Sequence, residues 1–146
     1  MPEQETLERA REDEREGLSP STQAGEFVRE EMEHIRDGEH GARSPEQAIA
    51  IGLSQARRAG VRLSPPKRGR ARTKRQAKRD LAKGRRRKQP SGTRSRAVRG
   101  ALKPESRRSA SRKALSRHAK RSARTRSAKS RSAAAKKAAQ TRRWRR

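Results

Sequence analysis

Residues 43–60 read RSPEQAIAIGLSQARRAG, and here a helix start, an apolar run and a helix stop all agree. Ser44 is a good N-cap, Pro45 suits the first helical position, and Gln47 completes an S-x-x-Q capping box. Ala48, Ile49, Ala50, Ile51, Gly52 and Leu53 follow, then Ala56 and Ala59, with Gly60 placed to close the helix in a left-handed conformation. At about 100° per residue, Ile49, Gly52, Leu53, Ala56 and Gly60 form one narrow stripe. Ile51 points nearly the opposite way, near Ala48 and Ala59. A helix with apolar groups on two sides has to be covered on two sides. A second copy of the chain, docked through the Ile51 side, is the expected cover; a flanking helix is the alternative.

Working back from this helix, Ser19-Pro20 restarts the chain after Gly17. Ala24, Phe27, Val28, Met32 and Ile35 then fall within an arc of about 140°, and Gly38 and Gly41 end the run. Glu31 lies inside that apolar arc, which a sealed core does not tolerate without a partner; Arg57 is the expected one. The reading is mostly α: a two-helix hairpin over residues 18–63, joined by a short connection. Its core and association residues are Phe27, Val28, Met32, Ile35, Ile49, Ile51, Leu53 and Ala56. Units this small usually need outside help. Residues 1–17 form an acidic arm with three candidate helical pairs, Glu5–Arg9, Glu8–Arg11 and Glu12–Arg15. With almost no apolar face, the arm reads as a solvated, fraying helix or as a strap that folds back on the basic residues and competes with DNA.

Charge divides the chain sharply at the end of the opening stretch. Residues 1–60 hold 14 acids and 8 bases, a net of −6, whereas residues 61–146 hold 35 bases against Asp80 and Glu105, a net of +33. Only 27% of the chain is hydrophobic and 40% is charged, with one Phe, one Trp and no Tyr. A chain so composed buries too little apolar surface to offset the entropy of ordering its whole length. Residues 64–146, bounded by Ser64-Pro65-Pro66, are therefore expected to be a low-complexity basic tail, largely disordered and helical only conditionally, with short helices over 71–83 and 94–102. A Ser-Ala-Arg-Lys composition of this kind repels itself when free, and phosphates relieve that repulsion.

Nucleic acid is thus the expected partner, DNA before RNA. The residues expected to contact it are Lys67, Arg68, Arg70, Arg72, Lys74, Arg75, Arg85, Arg86, Arg87, Lys88, Arg107, Arg108, Arg121, Arg124, Arg126, Arg131, Lys136, Lys137, Arg142, Arg143 and Trp144. Contacts to phosphates carry no sequence information directly, so weak sequence preference follows. Trp144, within Arg-Arg-Trp-Arg-Arg, is the one side chain suited to stacking on bases.

Other chemistries find little support. The chain has no Cys, which removes disulfides, thiol catalysis and Cys-based zinc sites. His34 and His40, near Glu33, Asp37 and Glu39, have no recognised ligand spacing, and no metal, cofactor or small-molecule ligand is assigned. No nucleophile–base pair or phosphate-binding loop is visible, so no enzyme activity is expected. No apolar run approaches the roughly 20 residues of a membrane span, and the first sixteen residues are too charged for a secretory signal, so a cytoplasmic location is expected.

Three stretches resemble known families. Residues 66–70, Pro-Lys-Arg-Gly-Arg, resemble the AT-hook, whose core lies in the narrow minor groove of A·T tracts; the family pattern continues with Pro, where this chain has Ala71. Gly25-Glu26-Phe27-Val28 through Gly60 resembles a bacterial domain of unknown function found in small basic proteins. The match is carried by Gln47-Ala48-Ile49-Ala50-Ile51-Gly52-Leu53-Ser54-Gln55-Ala56-Arg57-Arg58-Ala59-Gly60. Residues 106–140 resemble the Ala/Lys-rich tails of linker-histone-like bacterial proteins. The domain resemblance implies bacterial origin without supplying an activity; together with the basic composition, the chain reads as a small nucleoid-associated, histone-like protein in which the hairpin associates and the basic residues coat DNA. Two other readings stand beside that one: an RNA-binding or ribosome-associated protein, and a protein-interaction module tethered to DNA.

Overall fold

In the computed structural model, which describes residues 2–86 and 91–144, the chain is helical in every element. The order is α1 (Gln4–Arg15), α2 (Pro20–Asp37), α3 (Pro45–Arg58), α4 (Ala71–Arg85), α5 (Gly92–Leu102), a 3-10 turn (Arg107–Ala110), α6 (Arg112–Arg124) and α7 (Ala128–Trp144). Residue contacts divide the chain into two units, 1–111 and 112–146.

The hairpin of α2 and α3 is the centre of the first unit. Ser44 Oγ accepts from the Gln47 backbone N–H at 3.1 Å, and Gln47 Oε1 accepts from the Arg43 N–H at 2.7 Å. The box therefore closes one residue earlier than its usual form, on Arg43 instead of Ser44. At the other end Gly60 takes φ +108° and the Val61 N–H bonds back to the Ala56 carbonyl at 3.0 Å, the six-to-one bond that ends many helices. The two helices cross closely at Gly52, where a Cβ would lie 2.7 Å from Val28 Cα.

The core gathers Ala10, Ala24, Phe27, Ala56 and Val61, with Leu7, Leu53 and Leu63 packed around them. Phe27 is almost wholly buried, as are Ile35 and Met32 further along α2. Burying a side chain the size of Phe27 stabilises by about 1.5–3 kcal/mol. Of the expected core residues, Val28, Ile49, Ile51 and Leu53 are half-buried.

The acidic arm is not a free strap. Helix α1 packs on α2, burying Thr6, Ala10 and Asp13. Arg9 bridges Glu5 on its own helix and Glu26 on α2, the latter at 3.0 Å. The Glu3 N–H donates to Glu30 Oε1 at 2.6 Å. Leu7 and Ala10 supply the apolar contact that a count of large side chains in the arm underrates.

The expectation of a largely disordered basic tail is overturned. Helix α4 docks on α3, and the Arg107–Ala110 turn packs on α2 and α3. Two physical features make this possible in so cationic a stretch. First, its only two acids both face the hairpin. Asp80, 1% exposed, accepts from Ser54 Oγ at 2.7 Å, Arg58 Nε at 2.8 Å and Gln76 Nε2 at 3.0 Å. Glu105 accepts from Arg43 Nε at 3.0 Å, beside backbone bonds from Gly41 to Leu102 and from Ala42 to Ser106. Second, α4 meets α3 through small residues, Ala77 and Gly84, so little apolar area has to be supplied. At Gly84 a Cβ would sit 2.0 Å from the Arg57 carbonyl oxygen, which puts this glycine inside the helix as a contact point and not at its end. Beyond residue 111, α6 and α7 are built of Ala, Arg, Lys and Ser, and the backbone ladder of an Ala/Arg/Lys-rich helix needs no core to form.

One hairpin expectation is also corrected. Glu31 does not meet Arg57. Its Oε2 accepts from Gln55 Nε2 at 3.1 Å and its Oε1 lies 3.2 Å from His40 Nε2. Arg57, itself buried, donates to the carbonyls of Leu63 and Ser64; burial lowers its pKa, opposed by Asp80. On α3, Ile51 shares its face with Ser54 and Arg58, three and seven residues on, and both of these bond Asp80 of the flanking helix α4.

Candidate nucleic-acid interface

With Ala77, Asp80 and Gly84 turned inward, the opposite side of α4 follows from helical spacing. Arg72, Arg75, Lys78 and Arg79, all exposed, fall within an arc of roughly 120° centred opposite the docked face. They line one open groove, and Arg86, at the helix C-cap, continues the line. The one acid of α4 is spent on Arg58 and Ser54, so no carboxylate on the helix faces outward. The crowding of cations has an electrostatic signature: the Lys83 ammonium is held below its ordinary pKa, first by Arg58, then by burial and by Arg94 and Arg79, against the opposing pull of Asp80.

A second basic patch lies where the Arg107–Ala110 turn meets α2. Arg36, Ser106, Arg107, Arg108 and Ser111 line an open groove there. Arg36 Nε donates to the Ala110 carbonyl at 2.9 Å, which fixes the guanidinium at the edge of the groove.

In the second unit, residues 112–146 hold 15 bases and no acid. Helix α6 is two-sided. Ala114, Leu115, His118 and Ser122 are half-buried, while Lys113, Arg117, Lys120, Arg121 and Arg124 occupy a separate arc of roughly 100°. Helix α7 carries its cations around the whole circumference, and all but Thr141 of its side chains are exposed.

The residues expected from the sequence are thus distributed as follows. Lys67, Arg68 and Arg70 are exposed in the non-helical approach to α4, with a bend at Lys67–Gly69 and φ +112° at Gly69. Arg72, Arg75 and Arg85 are exposed on α4, Lys74 is half-buried, and Arg86 caps the helix. Arg87 and Lys88 lie outside the described residues. Arg107 and Arg108 belong to the second patch, Arg121 and Arg124 to the cationic arc of α6, and Arg126 to the α6–α7 connection. Arg131, Lys136, Lys137, Arg142, Arg143 and Trp144 are on α7, with Trp144 84% exposed. The sequence reading missed Lys78, Arg79, Lys113, Arg117 and Lys120. The signal that finds them is spacing: Lys78, Arg79, Arg117 and Lys120 each share a face with an expected residue at an interval of three, four or seven, and Lys113 stands four residues before Arg117.

A different kind of cluster lies at the far end of α2. Glu31, His34 and His40, all buried, bring one ligand-type atom each within 4.8 Å of the others. Glu3 and Glu30 approach His34 Nε2 at 3.3 and 3.7 Å. Burial raises the pKa of Glu31, with Glu30 adding to the rise and His40, the Gln55 hydrogen bond and His34 opposing it.

No protein-family model, curated protein or solved structure matches the chain. Among the described residues no helix is long and apolar enough to cross a membrane.

Proposed function

We propose that this protein binds DNA without enzymatic activity and with little sequence preference, as a histone-like component of the bacterial nucleoid. The observation that carries the reading is the orientation of α4. Its single acid is buried against α3, and Arg72, Arg75, Lys78 and Arg79 stand together on the side away from the hairpin. A row of cations fixed on a docked helix presents charge to a polyphosphate without first ordering the chain, which lowers the entropic cost of binding. The 15 bases of residues 112–146 extend the contact, and each phosphate neutralised releases counterions. The resemblance of residues 106–140 to linker-histone-like tails points the same way, and that of residues 25–60 to a domain of small basic bacterial proteins points to a bacterial source.

The test is to crosslink the protein in cells and sequence the nucleic acid recovered. Genome-wide DNA with a flat sequence profile is the expected result. Recovery dominated by ribosomal or messenger RNA would replace the proposal with the RNA-binding reading, and recovery of neither would leave the hairpin's interaction role as the better account.

A further inference from the structure

The cluster of Glu31, His34 and His40 is a site of another kind, unrelated to the basic surfaces. Glu31 and His34 stand three residues apart on α2, hence on one face, and His40 reaches back from the α2–α3 connection. All three are more than nine-tenths buried. His40 Nδ1 lies 3.1 Å from the Gly41 carbonyl oxygen. A carbonyl only accepts, so Nδ1 carries the proton. In the neutral ring that leaves the Nε2 lone pair aimed at Glu31 Oε1, 3.2 Å away. Two acceptors then face each other in a buried place, and Glu31 Oε1 receives no hydrogen bond from any donor. Something positive belongs between them, either a proton, carried by Glu31 or as a second proton by His40, or a metal ion.

The surroundings favour the metal. Imidazole nitrogen at 2.0–2.1 Å and carboxylate oxygen at 2.0–2.2 Å from a tetrahedral zinc ion place the two ligand atoms about 3.3 Å apart, close to the spacing here. A metal-bound histidine ordinarily donates its other ring N–H to a backbone carbonyl or carboxylate, as His40 does to Gly41. Both nitrogens of His34 have carboxylates near them, Glu3 and Glu30 at Nε2 and Glu39 at Nδ1, 3.9 Å away. Whichever nitrogen takes the ion, the other meets a carboxylate. Glu30 also has a buried oxygen, Oε2, with no donor. Two orphaned carboxylate oxygens beside two histidines are an excess of acceptors that a lone proton does not satisfy.

We infer that Glu31, His34 and His40 form a binding site for one divalent cation of the zinc class, which ties the end of α2 to the connection leading into α3. The role is structural: the ion links side chains across the hairpin turn, and water completes its coordination. Lengthwise spacing hid the site, because the third ligand comes from a loop and the first lies inside an apolar arc.

The test uses the full chain, freed of metal with a chelator, in phosphate-free buffer. Zinc chloride is titrated calorimetrically and unfolding is followed by circular dichroism with and without it. One zinc per chain and a clear rise in the thermal midpoint are expected. Glu31→Gln, close to isosteric and still able to accept from Gln55, should fold and should weaken zinc binding at least tenfold; His40→Gln should do the same. His118→Gln, a histidine in α6, should leave binding unchanged. The proposal is overturned if the wild type binds no zinc or gains no stability from it. It is equally overturned if folded Glu31→Gln binds zinc as tightly as the wild type, or if His118→Gln abolishes the binding.

Discussion

Removing the Asp80 carboxylate is the sharpest perturbation of the arrangement that orients α4. Asp80→Ala leaves Arg58 with no counter-charge and deprives Ser54 and Gln76 of their acceptor. Breaking a fully buried pair by deleting one partner costs about 3–5 kcal/mol. Here Asp80 is buried but the Arg58 side chain keeps 27% of its exposure, and Ser54 and Gln76 can turn to water. The expected loss is therefore about 2–4 kcal/mol, toward the lower value. For a unit of about a hundred residues each kcal/mol moves the thermal midpoint by roughly 4–8 °C, so the change is large enough to read directly. Urea unfolding by circular dichroism is the assay, with Asp80→Asn as a milder companion and a double-mutant cycle against Arg58→Ala. A coupling of about 1–3 kcal/mol is expected between the two positions. If Asp80→Ala falls within about 0.5 kcal/mol of wild type and the coupling vanishes, α4 is not held by Asp80 and the orientation of its cations loses its basis.

Gly52→Ala places a methyl group against the Val28 backbone and should cost about 1–3 kcal/mol by forcing the helices apart; denaturant unfolding measures it. Deleting residues 2–16 uncovers the Phe27 side of the core, so lower stability is expected, in contrast to the tighter DNA binding that a competing acidic strap would give. In metal-free protein, the raised pKa of Glu31 means that the folded state holds its proton more tightly than the unfolded state. Its contribution to stability is thus full below the ordinary carboxylate pKa of about 4.3 and is lost as pH rises through the raised value. Wild type should accordingly lose stability relative to Glu31→Gln over that window, as paired urea titrations would show. Trp144 is the chain's only Trp and is exposed, so its emission reports on α7 alone; quenching or a blue shift on adding duplex DNA is expected if that helix joins the contact.

What the sequence made legible was what local signals govern. The Ser44–Gln47 box, the Gly60 stop and the arc through Phe27, Met32 and Ile35 are all contained within one helix or its ends, and each is found in the fold. The docking of α4 was not legible, because it depends on one acid meeting Ser54 and Arg58 some 22–26 positions away, and on alanine and glycine contacts that carry no hydrophobic signal. Composition argued for disorder by averaging over Asp80 and Glu105, whose placement matters more than their number. The buried cluster was hidden for a related reason: Glu31 reads as a polar intrusion into an apolar arc until His40 folds back beside it.

The central claim is that the outward face of α4 binds phosphate, and the salt dependence of binding tests it most directly. Wild type and a variant with Arg72, Arg75, Lys78 and Arg79 all changed to Gln would be titrated against a fluorescent duplex by anisotropy over a range of salt concentrations. Each phosphate contact contributes roughly 0.9 to the slope of log affinity against log salt. If all four cations bind phosphate, the slope of the variant should be shallower by about 3–4, with circular dichroism unchanged. Equal slopes in the two proteins would show that α4 does not touch the DNA, and the account of this surface would be wrong.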